Sequence, residues 1–297
     1  MTASTLQLLT APSFPGPEDQ EGVYHVYSLC YATLPARRAN ENFLQHDVHD
    51  GPMPLDYNLW ILRSSRRTVL VDTGFGPAAA GRRQRKLQID PVEALSRLGI
   101  DPDQIEDVII THLHWDHSGN IGRFAKARFH VQDAEVAFAT GRCMGEPLLR
   151  IGIEVEDVVT LVRHTYAERV RFHSGDARLL PGISLHWLPG HSQGMQAVRV
   201  MTPRGPIVLA SDVAHYYANL LRRAPFALTA DATTSLRSFD NLMELAGGVD
   251  RIIPGHDPKV RRLYPTYEVN GIALTALHEQ PRHHLDEELA RLDDFAE

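Results

Sequence analysis

The chain has 297 residues and a formal net charge of −7, from 30 basic and 37 acidic side chains. That charge argues against nucleic acid or an anionic membrane surface as the main partner, while 43% apolar residues are enough to bury a sizeable core. Two cysteines are too few for a disulfide framework, and no segment is typical of a signal peptide or of a spanning helix. We expect a cytoplasmic protein with no nucleic-acid or membrane partner.

In the first half of the chain, an irregular arm over residues 1–20 precedes a series of apolar strands. A polar, turn-rich segment over residues 35–54 predicts a long loop, and loops of this length are often functional. The apolar and alternating segments predict strands over residues 23–31, 55–63, 68–72 and 105–111, and a helix over 91–98.

In the second half, short strands alternate with turn residues and with groups of helices. The predicted strands cover 127–131, 170–173, 183–188, 195–201, 207–210 and 251–254, and the predicted helices 133–140, 234–246 and 281–295. Strands in hairpin order with helices between them favour an α/β fold in which two sheets pack face to face under outer helices. No repeat or linker divides the chain, so we expect one domain over residues 1–297.

A dense group of metal-ligand side chains, His-X-His-X-Asp-His, occupies residues 112–117 directly after a predicted strand. At a strand end, alternate side chains can point to one place. Imidazole nitrogens and carboxylate oxygens are good ligands for zinc and similar divalent ions. The pattern therefore predicts a metal site, with a histidine-rich surface turn as the alternative.

Three further candidate ligands, His191, Asp212 and His256, each follow an apolar strand, where rigid sheet meets adaptable loop. One zinc ion takes about four ligands, so a larger set suits two ions. Two neighbouring ions need a shared anionic ligand, and Asp212 is the expected bridge. The seven predicted ligands are His112, His114, Asp116, His117, His191, Asp212 and His256.

The order of these motifs resembles the metallo-β-lactamase superfamily, together with the Asp-Thr-Gly turn at residues 72–74. The resemblance runs from about Leu55 to Asp257. It implies an αββα sandwich of two mixed β-sheets with helices on the outer faces and the metals at one edge. It also implies that the first ion is held by His112, His114 and His191, the second by Asp116, His117 and His256, and both by Asp212.

Within the superfamily the chain is most similar to the N-acyl homoserine lactonases, through residues 55–60, residues 211–216 and the long loop at 35–54. This resemblance implies opening of a lactone ring and a homodimer paired through that loop. Those lactonases usually have a tyrosine where this chain has His215, followed here by Tyr216. The departure leaves the choice of substrate open.

The implied mechanism uses two divalent ions, expected to be Zn²⁺ with Fe, Co or Mn as alternatives. They lower the pKa of a shared water, and the bridging hydroxide attacks the carbonyl of a lactone or ester. Asp116 is expected to deliver a proton to the leaving oxygen, and His215 or Tyr216 to stabilise the oxyanion.

An acyl chain needs an apolar groove, and Phe43, Met53, Tyr57 and Phe226 are its expected lining, with ordinary packing as the alternative. The basic run at residues 82–86 predicts either contact with an anionic substrate or a solvated helix face.

Five other functions remain open on the sequence. A hydrolase of another lactone or ester, such as 4-pyridoxolactone, or a thioesterase like glyoxalase II would share all seven ligands. An exported β-lactamase, a flavodiiron-type redox protein and a non-catalytic metal-binding module fit less well, because the chain has no visible export signal, flavin domain or carboxylate-rich site.

Overall fold

The computed structural model describes residues 7–8, 20–45, 50–283 and 285. Most of the predicted helix at 281–295, most of the arm at 1–20 and residues 46–49 of the long loop lie outside them. The described residues contain fourteen strands in two sheets, of nine and five strands. Along these residues no helix combines the length and the apolar character that crossing a bilayer requires.

The nine-stranded sheet contains β1 (Gln7–Leu8), β2 (His25–Leu34), β3 (Leu55–Arg63), β4 (Thr68–Val71), β5 (Asp107–Ile109), β6 (Arg128–Gln132), β7 (Val170–His173), β13 (Thr266–Val269) and β14 (Ile272–Ala276). The five-stranded sheet contains β8 (Ala177–Leu180), β9 (Ile183–Trp187), β10 (Gln196–Thr202), β11 (Gly205–Ser211) and β12 (Ile252–Pro254). Their orders are β1-β13-β14-β2-β3-β4-β5-β6-β7 and β12-β11-β10-β9-β8, and each sheet contains both parallel and antiparallel pairs.

The helices are α1 (Pro77–Arg82), α2 (Pro91–Arg97), α3 (Trp115–Ser118), α4 (Asp133–Thr140), α5 (Pro147–Arg150), α6 (Val155–Tyr166), α7 (Tyr217–Leu221), α8 (Ala232–Ala246) and α9 (Lys259–Leu263). The longest of these nine helices, α8, has Asp231 as its N-cap, and the Asp231 carboxylate accepts from the Thr234 amide at 3.0 Å. It ends at Gly247, which has a φ of 72°. An acidic N-cap and a left-handed glycine are the usual limits of a helix.

Alternation along the strands builds four layers. On β3, Trp60 and Leu62 face the five-stranded sheet, whereas Leu59 and Ile61 face the layer that includes α2 and α6. Successive strand residues point to opposite faces, so one strand serves both layers. On the other side of the five-stranded sheet, Val208 and its neighbours pack against α8. The predicted αββα sandwich of two mixed sheets is confirmed.

The strand directions determine where the loops collect. Strands β4, β5 and β6 are parallel to one another, and β9, β11 and β12 share one direction in the other sheet. Within each sheet, the carboxyl ends of these strands therefore meet at one edge. We call the two adjoining edges the carboxyl edge, and the loops that follow these strands lie there.

Candidate metal centre

Four strand ends bring the seven predicted ligands together at the carboxyl edge. After β5 the chain passes through His112 and enters α3, whose N-cap is His114 and whose first turns carry Asp116 and His117. Asp212 directly follows β11, His256 follows β12 and His191 follows β9. The seven side chains form two compact groups that meet at Asp212.

The two carboxylate oxygens of Asp212 face different histidines. Oδ2 lies 3.8 Å from His112 Nε2 and 3.3 Å from His191 Nε2. The same His191 Nε2 lies 2.9 Å from Nδ1 of His114. Oδ1 lies 3.3 Å from His117 Nε2 and 3.0 Å from His256 Nε2. The Asp116 carboxylate lies 3.8 and 3.9 Å from those same two histidines. Asp212 therefore separates one group from the other.

Several atoms at the centre of this cluster are buried without a hydrogen-bond partner in the described part of the chain: His112 Nε2, His117 Nε2 and Asp212 Oδ1. A buried polar group left unsatisfied costs about 1–3 kcal/mol. Three such atoms that point toward one another, all of ligand type, fit a site for divalent cations. Burial also lowers the pKa of His112 and His191 well below the usual range, which leaves them in the neutral form that binds metal.

Asp72 orients His117. Its Oδ2 lies 2.7 Å from His117 Nδ1, so Nε2 of that ring is left to face Asp212. The Asp72 carboxylate also accepts from the amide and the hydroxyl of Thr111, both at 2.8 Å. These contacts hold Asp72 at a φ of 64°, which is unfavourable for a residue with a side chain. A carboxylate behind a histidine is a common support for metal ligands.

His256 is oriented through the main chain. Its Nδ1 donates to the carbonyl of Asp56 at 2.6 Å. The Asp56 carboxylate is buried and receives two hydrogen bonds from Arg261, at 2.5 and 3.0 Å. Arg261 thus fixes the segment that holds His256. In the sequence, Arg261 is only one of two consecutive arginines that follow the last predicted ligand.

Glu135, a fully buried residue at the start of α4, joins the two loops that carry the first group of histidines. Its carboxylate accepts from the Leu113 amide at 2.8 Å and from the Gly194 amide at 2.9 Å. A Cβ on Gly194 would lie 2.1 Å from the Glu135 nitrogen, so glycine is required there for the approach. Burial raises the pKa of Glu135, and these two amides oppose that shift.

Of the two residues expected near the oxyanion, the structure brings His215 into the site and not Tyr216. His215 Nε2 lies 2.9 Å from Asp212 Oδ2, and its ring stacks on Phe226 with centroids 3.5 Å apart. The Tyr216 hydroxyl donates to the Pro54 carbonyl at 3.2 Å, and its side chain packs in the core.

A cavity of about 240 Å³ opens onto the cluster. Tyr57 and Phe226, two of the four expected groove residues, line it; Phe43 and Met53 pack behind the wall instead. The other lining residues are Arg37, Leu55, Arg83, Arg85, His114, Trp115, Asp116, Ile151, Gly152, His191, Asp212, His215, Leu228 and His256. Sequence reasoning missed Arg37 and Ile151 because they belong to loops remote from the motif. It missed Trp115, which lies inside the motif, because the packing of this ring against Tyr57 and Phe75 depends on distant segments.

Comparison with known proteins agrees with this architecture. The model of the metallo-beta-lactamase superfamily matches residues 53–256. The N-acyl homoserine lactonase AiiA of Bacillus thuringiensis subsp. kurstaki is 29% identical over 227 residues, 70% of this chain and 85% of that protein.

Two solved structures have a similar fold. A quorum-quenching N-acyl homoserine lactone hydrolase has 25% identity and a TM-score of 0.65, and the match covers 81% of this chain and 95% of that one. AidC, a dizinc quorum-quenching lactonase, has 15% identity and a TM-score of 0.66, over 88% of this chain and 96% of that one. Because the family model spans the strand ends that carry every ligand candidate, this chain belongs to the metallo-β-lactamase superfamily and is a metal-dependent hydrolase.

Proposed function

We propose that this enzyme opens a lactone ring by hydrolysis, with an N-acyl homoserine lactone as substrate, and so acts in quorum quenching. The observation that carries the proposal is Asp212, whose two oxygens each face one group of histidines. That arrangement suits two divalent ions with a shared carboxylate. The similar proteins named as N-acyl homoserine lactonases support the choice of substrate.

We propose that His112, His114 and His191 hold one ion and that Asp116, His117 and His256 hold the other, with Asp212 between them. The ions are expected to be Zn²⁺, because the donor set is rich in imidazole. When bound, such ions supply Lewis-acid activation of water and of the substrate carbonyl. The protein residues then have to orient the substrate and move a proton.

Two residues beside the ligand groups are suited to those tasks. His215 lines the cavity, and its Nε2 lies 2.9 Å from Asp212 Oδ2, so the proton of the neutral ring is on Nε2. Its Nδ1 is buried without a partner among the described residues and can accept a hydrogen bond from a substrate N–H or O–H. Stacking on Phe226 fixes its ring. Asp116 is 12% exposed and faces the cavity, and we assign it the transfer of a proton to the leaving oxygen.

An acyl chain would lie along the apolar part of the wall. The apolar lining residues are Leu55, Trp115, Ile151, Phe226 and Leu228. Clefts with apolar walls and a few converging polar groups are typical of small-molecule sites.

We further propose a cytoplasmic, single-domain chain that pairs as a homodimer through the loop at residues 35–54. The Leu44 amide in that loop donates to the Pro225 carbonyl at 2.8 Å, and the side chains of Leu44 and of Leu221 in α7 are both exposed. Sedimentation of the purified protein at several concentrations tests the pairing, and a monomer throughout would refute it.

The substrate is tested by a hydrolysis panel with the enzyme stripped of metal, with the same enzyme reloaded with Zn²⁺, and with Co²⁺ in its place. The panel contains short- and long-chain acyl homoserine lactones, a simple γ-lactone, 4-pyridoxolactone and a glutathione thioester. We expect metal-dependent turnover of the acyl homoserine lactones. Metal-loaded protein that opens no lactone would overturn the proposal, and a preference for the thioester would replace it with a thioesterase.

A further inference from the structure

Three guanidinium groups line the same cavity as the metal centre. Arg37 lies in the loop after β2, and Arg83 and Arg85 follow α1, so two separate segments contribute them. All three side chains are half-buried. The chain as a whole carries a net charge of −7, so this positive cleft is a local feature and not a reflection of composition.

The three arginines differ in how their charge is balanced. Arg83 forms an ion pair with Glu154 at 2.9 Å and lies over the Trp115 ring at 5.1 Å. Arg85 donates only to neutral oxygens, the Tyr57 hydroxyl at 3.0 Å and the Arg83 carbonyl at 2.9 Å.

Arg37 likewise donates to the Asn42 amide oxygen at 2.5 Å and to the Glu41 carbonyl at 2.7 Å. In residues 20–45 and 50–283, neither Arg37 nor Arg85 forms an ion pair with a carboxylate. Two half-buried charges therefore face the cleft without a counter-ion from the described chain.

These side chains are also held in position. The bonds to Tyr57 and to the Arg83 carbonyl fix Arg85, while Arg37 is held by Asn42 and lies 5.1 Å from the centre of the Phe226 ring. Charges fixed before a ligand arrives lose little conformational entropy on binding. The planar guanidinium donates two parallel hydrogen bonds to a carboxylate, which makes arginine well suited to that group.

We propose that this hydrolase also accepts substrates that carry a carboxylate in addition to the ester or lactone carbonyl, and that Arg85 and Arg37 bind that carboxylate. The inference rests on the proposed hydrolysis of a lactone or ester. It extends the substrates from N-acyl homoserine lactones, which carry no carboxylate, to anionic lactones and esters. Tyr57, which accepts from Arg85, packs edge-on against His256 at 5.7 Å between ring centroids. The carboxylate would thus lie on the wall beside the second ligand group and leave the reacting carbonyl to the centre.

The test compares two esters that differ in one charge: mono-4-nitrophenyl glutarate, which has a terminal carboxylate, and 4-nitrophenyl valerate, which has a methyl group there. We expect the metal-loaded wild type to prefer the anionic ester by about tenfold in kcat/KM, chiefly through KM, because only that ester can accept charge-assisted hydrogen bonds from the two arginines. Added salt should reduce the preference.

Arg85→Met and Arg37→Met should each lower the ratio of anionic to neutral kcat/KM several-fold, and Arg85→Lys should restore part of it. Arg82→Met is the matched control, since Arg82 belongs to the same basic run but is 55% exposed and does not line the cavity. Its ratio should equal that of the wild type. Metal content and melting temperature identify any variant that fails to fold, and the salt dependence of the wild type then remains as the test.

Equal kcat/KM values of the wild type for the neutral and the anionic ester would overturn the inference and leave the proposed hydrolase intact. An unchanged ratio in both folded methionine variants would also overturn it. Loss of all lactone and ester turnover in metal-loaded protein is a different result, because it overturns the proposed function itself.

Discussion

Two groups of histidines on neighbouring strands of this protein differ in how their nitrogens are satisfied. In the first, His130 on β6 contacts Asp107 at 3.0 Å through Nε2 and His173 at 3.1 Å through Nδ1. In the other, at the carboxyl edge, Nε2 of His112 and of His117 is buried without a hydrogen-bond partner in the described chain. A local excess of histidine is therefore not what distinguishes a metal site. The distinguishing feature is that several buried, unpaired ligand atoms converge on one place, whereas the buried Nε2 of His164 on α6, likewise unpaired among the described residues, belongs to no such group.

The largest effect is expected from Asp212→Ala, because this carboxylate faces both ligand groups. Its loss leaves the two ligand sets with no shared anion. We expect bound metal, measured by atomic emission, to fall close to zero and kcat/KM to drop about a thousandfold, since metal activation contributes several kcal/mol. Full metal content and full activity would refute the bridging role.

A smaller effect is expected from Asp72→Asn, which keeps the shape of the side chain and removes its charge. The bond to His117 Nδ1 would then lose its charge assistance, and supports of this kind are typically worth about 10–100-fold in metal affinity. The measurement is competition for Zn²⁺ against a chelator of known affinity. Unaltered affinity would mean that His117 is oriented without Asp72.

Much of the fold could be predicted because local patterns dominated it. Strand β3 and helix α4 have the predicted bounds, and the alternation of Leu59, Trp60, Ile61 and Leu62 required a strand buried on both faces. The strand pair β13–β14 was missed although its turn has a clear signal. Asn270 and Gly271 have φ values of 51° and 76°, as expected for the asparagine-glycine turn of a tight hairpin.

Local patterns also predicted the candidate ligands of the site. All seven candidate ligands follow apolar strands, so their convergence could be inferred from sequence order and sheet geometry. The residues that support these ligands could not be predicted in this way. Glu135 and Arg261 act on segments distant in sequence, and no local motif marks such contacts. The orientation of Tyr216 was also beyond local reasoning, because the Pro54 carbonyl that it contacts lies 162 residues away.

Arg261→Met should have a weaker effect than Asp72→Asn, because it acts on His256 only through Asp56. We expect metal affinity to fall a few-fold and by no more than about tenfold, which is the low end of the range for supports of metal ligands. Arg261→Lys should recover part of the loss. A merely structural role would lower the melting temperature of the metal-free protein but leave the affinity for Zn²⁺ unchanged. Parallel measurements of the two quantities separate these cases.

The smallest effect on the metal centre is expected from His130→Gln, in the satisfied histidine group. Metal content and kcat/KM should equal those of the wild type, whereas the loss of the Asp107 contact should lower the free energy of unfolding at pH 7 by about 1–2 kcal/mol. Burial raises the pKa of Asp107, but the hydrogen bond from His130 and the charges of His130 and Arg128 outweigh it and lower that pKa.

A carboxylate with a lowered pKa stabilises the fold above its unfolded value of 3.8, and this stabilisation is lost as the pH falls below that value. The difference in unfolding free energy between wild type and His130→Gln should therefore be greatest near neutral pH and should shrink in acid. Denaturant unfolding at pH 7 and at about pH 3, below the unfolded pKa, measures it. A His130→Gln variant that keeps wild-type stability but loses metal would contradict the distinction between the two groups, since it would place a ligand outside the carboxyl edge.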